Sequence, residues 1–219
     1  PWLPAGSPVA DLSGTARVDL TIEGTAGLWQ PAGEVEFRQA AAQLAKPAAS
    51  LEQVTGTVRL APDRLELDRL ALTVNGQPVV LAATANPSLF TPATSHQVAV
   101  TAGIGQAQVG FSGRLEPDVL VVQDGILTLP RSRLVVGGRL SRRRDRASTL
   151  EANGTVELAD VSSAPFVKFP ALDSWRAQGA VEVAAKLQGD PADWRAARLA
   201  ARLTADRIQL RDVPIEQLL

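Results

Sequence analysis

His96 is the single histidine of the chain, and cysteine is absent. Ser-His-Asp catalysis would have to run through that one imidazole. It lies between Ser95 and Gln97, where a strand is predicted to begin, a place that reads as surface rather than as a base. Without cysteine and with one histidine, zinc-type ligation has no donor set, so neither a metal nor a cofactor is expected. Asp19, Glu23, Glu34, Glu36, Glu66 and Asp68 fall at alternate strand positions, as solvated faces do. No spacing among them selects a glycosidase-type pair. Gly103-Ile104-Gly105 is half of a phosphate-loop pattern, but it leads into a strand and reads as a hairpin turn. No enzyme is expected.

Arg142, Arg143, Arg144 and Arg146, around Asp145, form the one charge cluster. The plain reading is a solvated hairpin tip; the sharper one is an anionic contact, to a lipid head group or a partner. Basic residues contribute about 1 kcal/mol each at an anionic membrane surface, so such an attachment is weak and salt-sensitive. The formal net charge of −1 gives no field that favours nucleic acid. Trp2, Trp29, Trp175 and Trp194 sit near Pro or Gly at strand ends or loops and read as edge plugs. No transmembrane helix is predicted. Residues 70–113 carry no charge, but Pro, Asn, Gln, Thr and Gly interrupt them throughout. Methionine is also absent, which reads as a piece of a longer protein.

These side chains must be positioned by strands. Ala16, Val18, Leu20 and Ile22 alternate with Arg17, Asp19, Thr21 and Glu23, between Gly14 and Gly24. A period of two gives one wet and one apolar face. Val181, Val183, Ala185 and Leu187 repeat the pattern 165 residues later, between Gly179 and Gly189. Phe37 with Gln43-Leu44 recurs as Leu203 with Gln209-Leu210, after one inserted residue. A second repeat relates Pro62-Asp63, Leu65, Leu67 and Leu72 to Pro117-Asp118, Leu120, Val122 and Leu127, 55 residues on. Repetition of this kind implies an array whose function lies in an extended surface.

The spacing predicts further strands at 54–60, 65–74, 79–84, 97–102, 106–112, 134–140 and 155–158. Asn75-Gly76 is the strongest hairpin signal. The apolar phase slips across Asp68-Arg69, which predicts a bulge. Leu28 to Gly33 reads as a loop around Pro31, and 40–50 as a short strand or irregular crossing. Asp190-Pro191 resembles a helix start, but the alternation from Ala197 to Thr204 favours a strand. Residues 161–175 hold two prolines, Pro165 and Pro170, and read as an irregular crossover, with one helical turn allowed. The resulting division is 1–160, a first β repeat segment; 161–175, the crossover; and 176–219, the start of a second repeat.

The run from Leu12 to Ala83 resembles the AsmA-like superfamily of bacterial envelope proteins, with its AsmA, TamB and YhdP types. The strand ending in Glu23-Gly24, the strand Gly33-Glu-Val-Glu-Phe37, and Leu51-Glu-Gln-Val-Thr-Gly56-Thr-Val-Arg-Leu60 carry the resemblance. Asp63-Arg64-Leu65-Glu66-Leu67-Asp68-Arg69-Leu70 and Val74-Asn75-Gly76-Gln77-Pro78-Val79 complete it. It implies long antiparallel sheets curled into a groove, anchored in the inner membrane outside this stretch and crossing the periplasm. It further implies phospholipid passage between the membranes and a part in outer-membrane biogenesis. Acyl chains are the expected ligand and envelope membrane proteins the possible partners. The family has no catalytic motif to carry over.

The expected fold is therefore all-β: an antiparallel, curled repeat sheet with few short helices. The candidate lipid-facing residues are Val18, Leu20, Ile22, Leu65, Leu67, Leu72, Val181, Val183 and Leu187. The alternative is a non-enzymatic envelope scaffold, in which the same face is the sealed core of a β sandwich.

Overall fold

The computed structural model describes residues 9–25, 28–45, 48–87, 94–141, 143, 146–163, 177–189, 197–210 and 213–218. They are almost entirely strand. The chain forms two compact units, 1–105 and 106–219. The first holds β1 (Val9–Thr25), β2 (Leu28–Ala45), β3 (Ala48–Leu60), β4 (Leu65–Val74), β5 (Gln77–Asn86) and β6 (His96–Ile104). The second holds β7 (Ala107–Leu115), β8 (Val119–Thr128), β9 (Arg133–Ser141), β10 (Ser148–Glu157), the six-residue helix α1 (Leu158–Ser163), β11 (Ala180–Gly189), β12 (Arg198–Leu210) and β13 (Val213–Leu218). Within each unit every strand pairs antiparallel with its chain neighbours, an open meander with β1 an edge strand.

The turns follow their chemistry. Asn75 and Gly76 adopt φ of 47° and 81°, the left-handed pair that a two-residue hairpin requires. Asn75 also clips β3, since its Oδ1 accepts from the Ser50 amide at 2.9 Å and its own amide donates to the Ser50 carbonyl at 3.0 Å. At Pro62-Asp63 the Ala61 amide donates to the Arg64 carbonyl at 2.8 Å. The repeat reproduces this turn at Pro117-Asp118, where the Glu116 amide donates to the Val119 carbonyl at 2.8 Å.

The phase slip at Asp68-Arg69 is a bulge. From Leu67↔Ala83 to Leu70↔Leu81, β4 advances three residues against two of β5, and Arg69 has φ of 41°. The extra residue keeps Leu70 and Leu72 on the face of Leu65 and Leu67. The same device stands 55 residues later: from Val122↔Gly138 to Gly125↔Val136, β8 advances three residues against two. Gln39 in β2 and Gln53 in β3 are further bulge residues, at φ of 53° and 54°. Bulges bend a strand and increase its twist. Three in adjacent strands curl the sheet along a line crossing β2 to β4.

One expectation is corrected. Leu28 to Gly33 is not a loop; it is the start of β2, with Pro31 paired to Ile22. The pairing of β3 with β2 reaches only Gly33↔Leu60. At Pro31 the strand therefore has a single neighbour, and proline's missing donor is tolerated at such an edge position. Residues 40–45 and 48–50 are strand, with a register shift against β3 between Ala40 and Ala42, and 198–210 is strand as the alternation predicts. The stretch read as a strand at 155–158 is the end of β10, and Leu158 already belongs to α1. Most of the crossover at 161–175, the Asp190-Pro191 segment, and Trp2, Trp175 and Trp194 lie outside the described residues.

The 165-residue repeat is structural. Gly14 and Gly179 have φ of 103° and 122°. A Cβ on Gly14 would stand 2.5 Å from the Ala40 Cα, and one on Gly179 would stand 2.5 Å from the Arg207 carbonyl oxygen. In each case the neighbouring strand carries one extra residue opposite the glycine. Ser13↔Ala41 is followed by Thr15↔Arg38, and Gln178↔Gln209 is followed by Glu182↔Thr204. The second copy slides by two residues: Ala16 faces Phe37, whereas Val183 faces Leu203. An even slide preserves the face.

Candidate functional site: the apolar faces

Cross-strand pairs put side chains side by side on one face. In the first unit this gives a row across six strands: Val18, Val35, Val58, Leu67, Ala83 and Val100. A parallel row joins Leu20, Gly33, Leu60, Leu65, Ala85 and Val98. Beyond the bulge Leu72, Val79 and Ile104 continue the same face. In the second unit Val109, Leu127, Leu134, Gly154, Val183 and Leu203 form one row. Gly113, Val122, Gly138, Leu150, Leu187 and Leu199 form another. Between them runs the row Phe111, Gly125, Val136, Ala152, Ala185 and Ala201, which ends in three alanines.

Seven of the nine candidates fall on these rows, Val18, Leu20, Leu65, Leu67 and Leu72 in the first unit and Val183 and Leu187 in the second; Ile22, paired with Pro31, and Val181, paired with Val156, stand two residues further along the same strands. Sequence reasoning left out Val35, Val58, Leu127, Leu134, Leu199 and Leu203. Their signal was the alternation of the partner strand, which becomes a position in a row only once the register is known.

The opposite faces are charged. In the first unit Asp19, Glu34, Arg59 and Glu66 form a row. Arg59 Nε lies 3.4 Å from Glu34 Oε2. Arg38 grips Glu36 with two bonds, Nη2 to Oε2 at 2.8 Å and Nε to Oε1 at 2.9 Å. Those hydrogen bonds hold the Glu36 carboxyl below the usual carboxylate range and raise Arg38. In the second unit Lys186 Nζ meets Glu151 Oε1 at 2.8 Å across the β10–β11 pair.

The apolar faces are not sealed. Among the described residues the buried apolar side chains are Ala40, Ala85, Ala107, Leu129, Ala177 and Val181, and four of these are alanine. Val18 is 60% exposed and Ile22 59%, while Leu199 and Leu203 reach 67% and 63%. The remaining row members are mostly half-buried. A sandwich core would bury its large aliphatics almost completely.

The other candidates are ordinary structure. His96 is half-buried at the start of β6, with Nδ1 3.0 Å from the Pro87 carbonyl oxygen, and does not lie free on the surface. Arg143 is exposed and lies 3.7 Å from Asp118, and Arg146 is exposed; Arg142 and Arg144 lie outside the described residues. Among the described residues no cluster of His, Cys, Asp or Glu could hold a metal ion. No described helix is long and apolar enough to cross a membrane. Sequence reasoning missed Asp160. Its Oδ2 accepts from the Arg131 amide and the Ser132 hydroxyl, both at 2.7 Å, and the Ser132 oxygen accepts from the Glu157 amide at 2.8 Å. This is a buried, satisfied clasp between α1 and the strand ends, with no free group for chemistry.

Fold and faces together define an amphipathic antiparallel β meander, open and apolar on one side. No family model, curated protein or solved structure matches the chain.

Proposed function

We propose that this chain is a section of a periplasmic lipid-transfer protein of the AsmA-like kind. Phospholipid acyl chains lie along its aliphatic rows while head groups stay in water. The observation that carries this reading is the exposure of Val18, Ile22, Leu199 and Leu203 at the edges of rows whose reverse faces are charged. Contiguous exposed apolar surface marks a binding surface. Neighbouring strands lie about 4.8 Å apart, so a six-strand row spans roughly 24 Å. Half of a bilayer's hydrocarbon core is roughly 15 Å. One row can therefore shelter an acyl chain along its length. Each methylene withdrawn from water contributes about 0.8 kcal/mol, which holds a lipid without any directional contact. Uniform weak contacts also let it slide.

Leu20→Asp and Val183→Asp test the reading. Each places a carboxylate on a row that water reaches, so thermal stability is retained while phospholipid photocrosslinking falls. Unfolding of both variants would mean that the faces are sealed in solution. Unchanged crosslinking with intact folding would remove the lipid reading.

A further inference from the structure

We propose that one end of the second unit's sheet, where Arg114, Arg139, Arg143 and Arg146 gather, docks on the surface of an anionic lipid bilayer. The contact is made by the charged face, so the inference holds whether or not the apolar rows carry acyl chains.

The register assembles what the sequence scatters. On the charged face Arg114 of β7 stands opposite Val121, Val121 opposite Arg139 of β9, and Arg139 opposite Thr149. Two arginines thus lie two strands apart, about 10 Å, in one row at one end of the sheet. The β9–β10 turn leaves from this same end and adds Arg143 and Arg146. That turn is held in place. The Ser141 amide donates to Ser148 Oγ at 2.8 Å, and both serines are buried. Ser141 Oγ accepts from the Arg143 amide at 3.1 Å, and the Arg146 amide donates to the Arg143 carbonyl at 3.3 Å. Arg139, Arg143 and Arg146 are exposed, and Arg114 is half-buried.

Acidic side chains answer only part of this charge. Arg114 Nε lies 3.0 Å from Glu116 Oε1 and Arg143 Nη1 3.7 Å from Asp118 Oδ2, both acids on the β7–β8 turn. No ion pair joins Arg139 or Arg146 among the described residues. By sequence, the β7–β8, β9–β10 and β11–β12 connections with Arg114, Arg139 and Arg198 hold eight arginines against five acidic residues, in a chain whose net charge is −1. Like charges gathered on one surface repel, and an anionic partner offsets them. The opposite face narrows what that partner is. Its last row at this end is Leu115, Leu120 and Leu140, all half-buried. Arginines on one face and leucines on the other match the boundary of a bilayer, with its phosphates beside hydrocarbon. A nucleic acid presents no such apolar layer.

The test is cosedimentation of the full chain with vesicles of pure phosphatidylcholine or of equimolar phosphatidylcholine and phosphatidylglycerol. The expected result is binding to the anionic vesicles alone, lost at high salt. Arg139→Gln and Arg146→Gln each weaken it about five-fold, the contribution of one basic residue at an anionic surface. Arg139→Lys keeps it, because the surface reads charge. Arg133→Gln, on the same strand and face at the other end, leaves it unchanged. Equal binding to both vesicles, or to neither, would overturn the proposal. So would an equal loss with Arg133→Gln, which would make the attraction a property of overall charge. Tighter binding to a DNA duplex, with the same dependence on Arg139 and Arg146, would replace the bilayer by a nucleic acid.

Discussion

β1 and β11 carry the same pattern of glycine, aliphatic and polar residues, and the chain gives them different surroundings. In each the repeated segment opens at a left-handed glycine crossed closely by the next strand, Gly14 within β1 and Gly179 just before β11, and each alternates its aliphatic residues onto an apolar row. In β11 alternate residues are buried or half-buried and the others exposed. In β1 the described side chains are exposed on both faces except Leu20. The pattern fixes the direction in which a side chain points; the number of neighbouring strands fixes how much water reaches it. A face can therefore be apolar by composition and remain open.

The largest effect comes from placing one charge in both environments. Val181→Asp buries an uncompensated carboxylate in a site 7% exposed and costs more than about 4 kcal/mol. Val18→Asp changes stability by less than about 1 kcal/mol. Chemical denaturation of the two variants checks the difference, and equal losses would mean that β1 is covered in solution.

Gly14→Ala and Gly179→Ala each force a Cβ into the crossing backbone at a left-handed φ, at a cost of about 1–3 kcal/mol. Similar midpoint shifts sharpen the duplication; loss at only one site breaks it. Smaller again is Lys186→Ala. The Glu151 pair it removes is exposed and contributes about 0.2–1 kcal/mol, less at high salt. Thr21, its β1 counterpart, tolerates alanine without measurable change.

The smallest effect lies beside β1. Arg38→Ala returns the Glu36 carboxyl to the ordinary range, visible in an NMR titration. A carboxyl held low when folded stabilises above its unfolded pKa and loses that contribution as pH falls through the folded value. The acid limb of the stability curve is therefore slightly less steep in the variant.

Much of this was legible in the residues. Alternation gave the strands, Asn75-Gly76 gave a hairpin, and the slip at Asp68-Arg69 gave a bulge, because each is a local property of a few residues. The bulges at Gln39 and Gln53 were not legible. Glutamine has no special claim on a positive φ, and both lie in stretches where small or polar residues blur the phase. Nor was β2's passage through Pro31, since proline's acceptability there depends on where β3 stops. The rows required the register of every strand at once, and openness required the neighbours of each edge.

The absence of cysteine makes the central claim directly measurable. Single cysteines at Val18, Val183 and Leu203, and at Arg17 and Glu182 on the charged faces, can each carry a polarity-sensitive fluorophore. On addition of phospholipid, labels on the apolar rows should shift to the blue while those on the charged faces stay unchanged. A uniform response, or none on the apolar rows, would contradict an open lipid-bearing face.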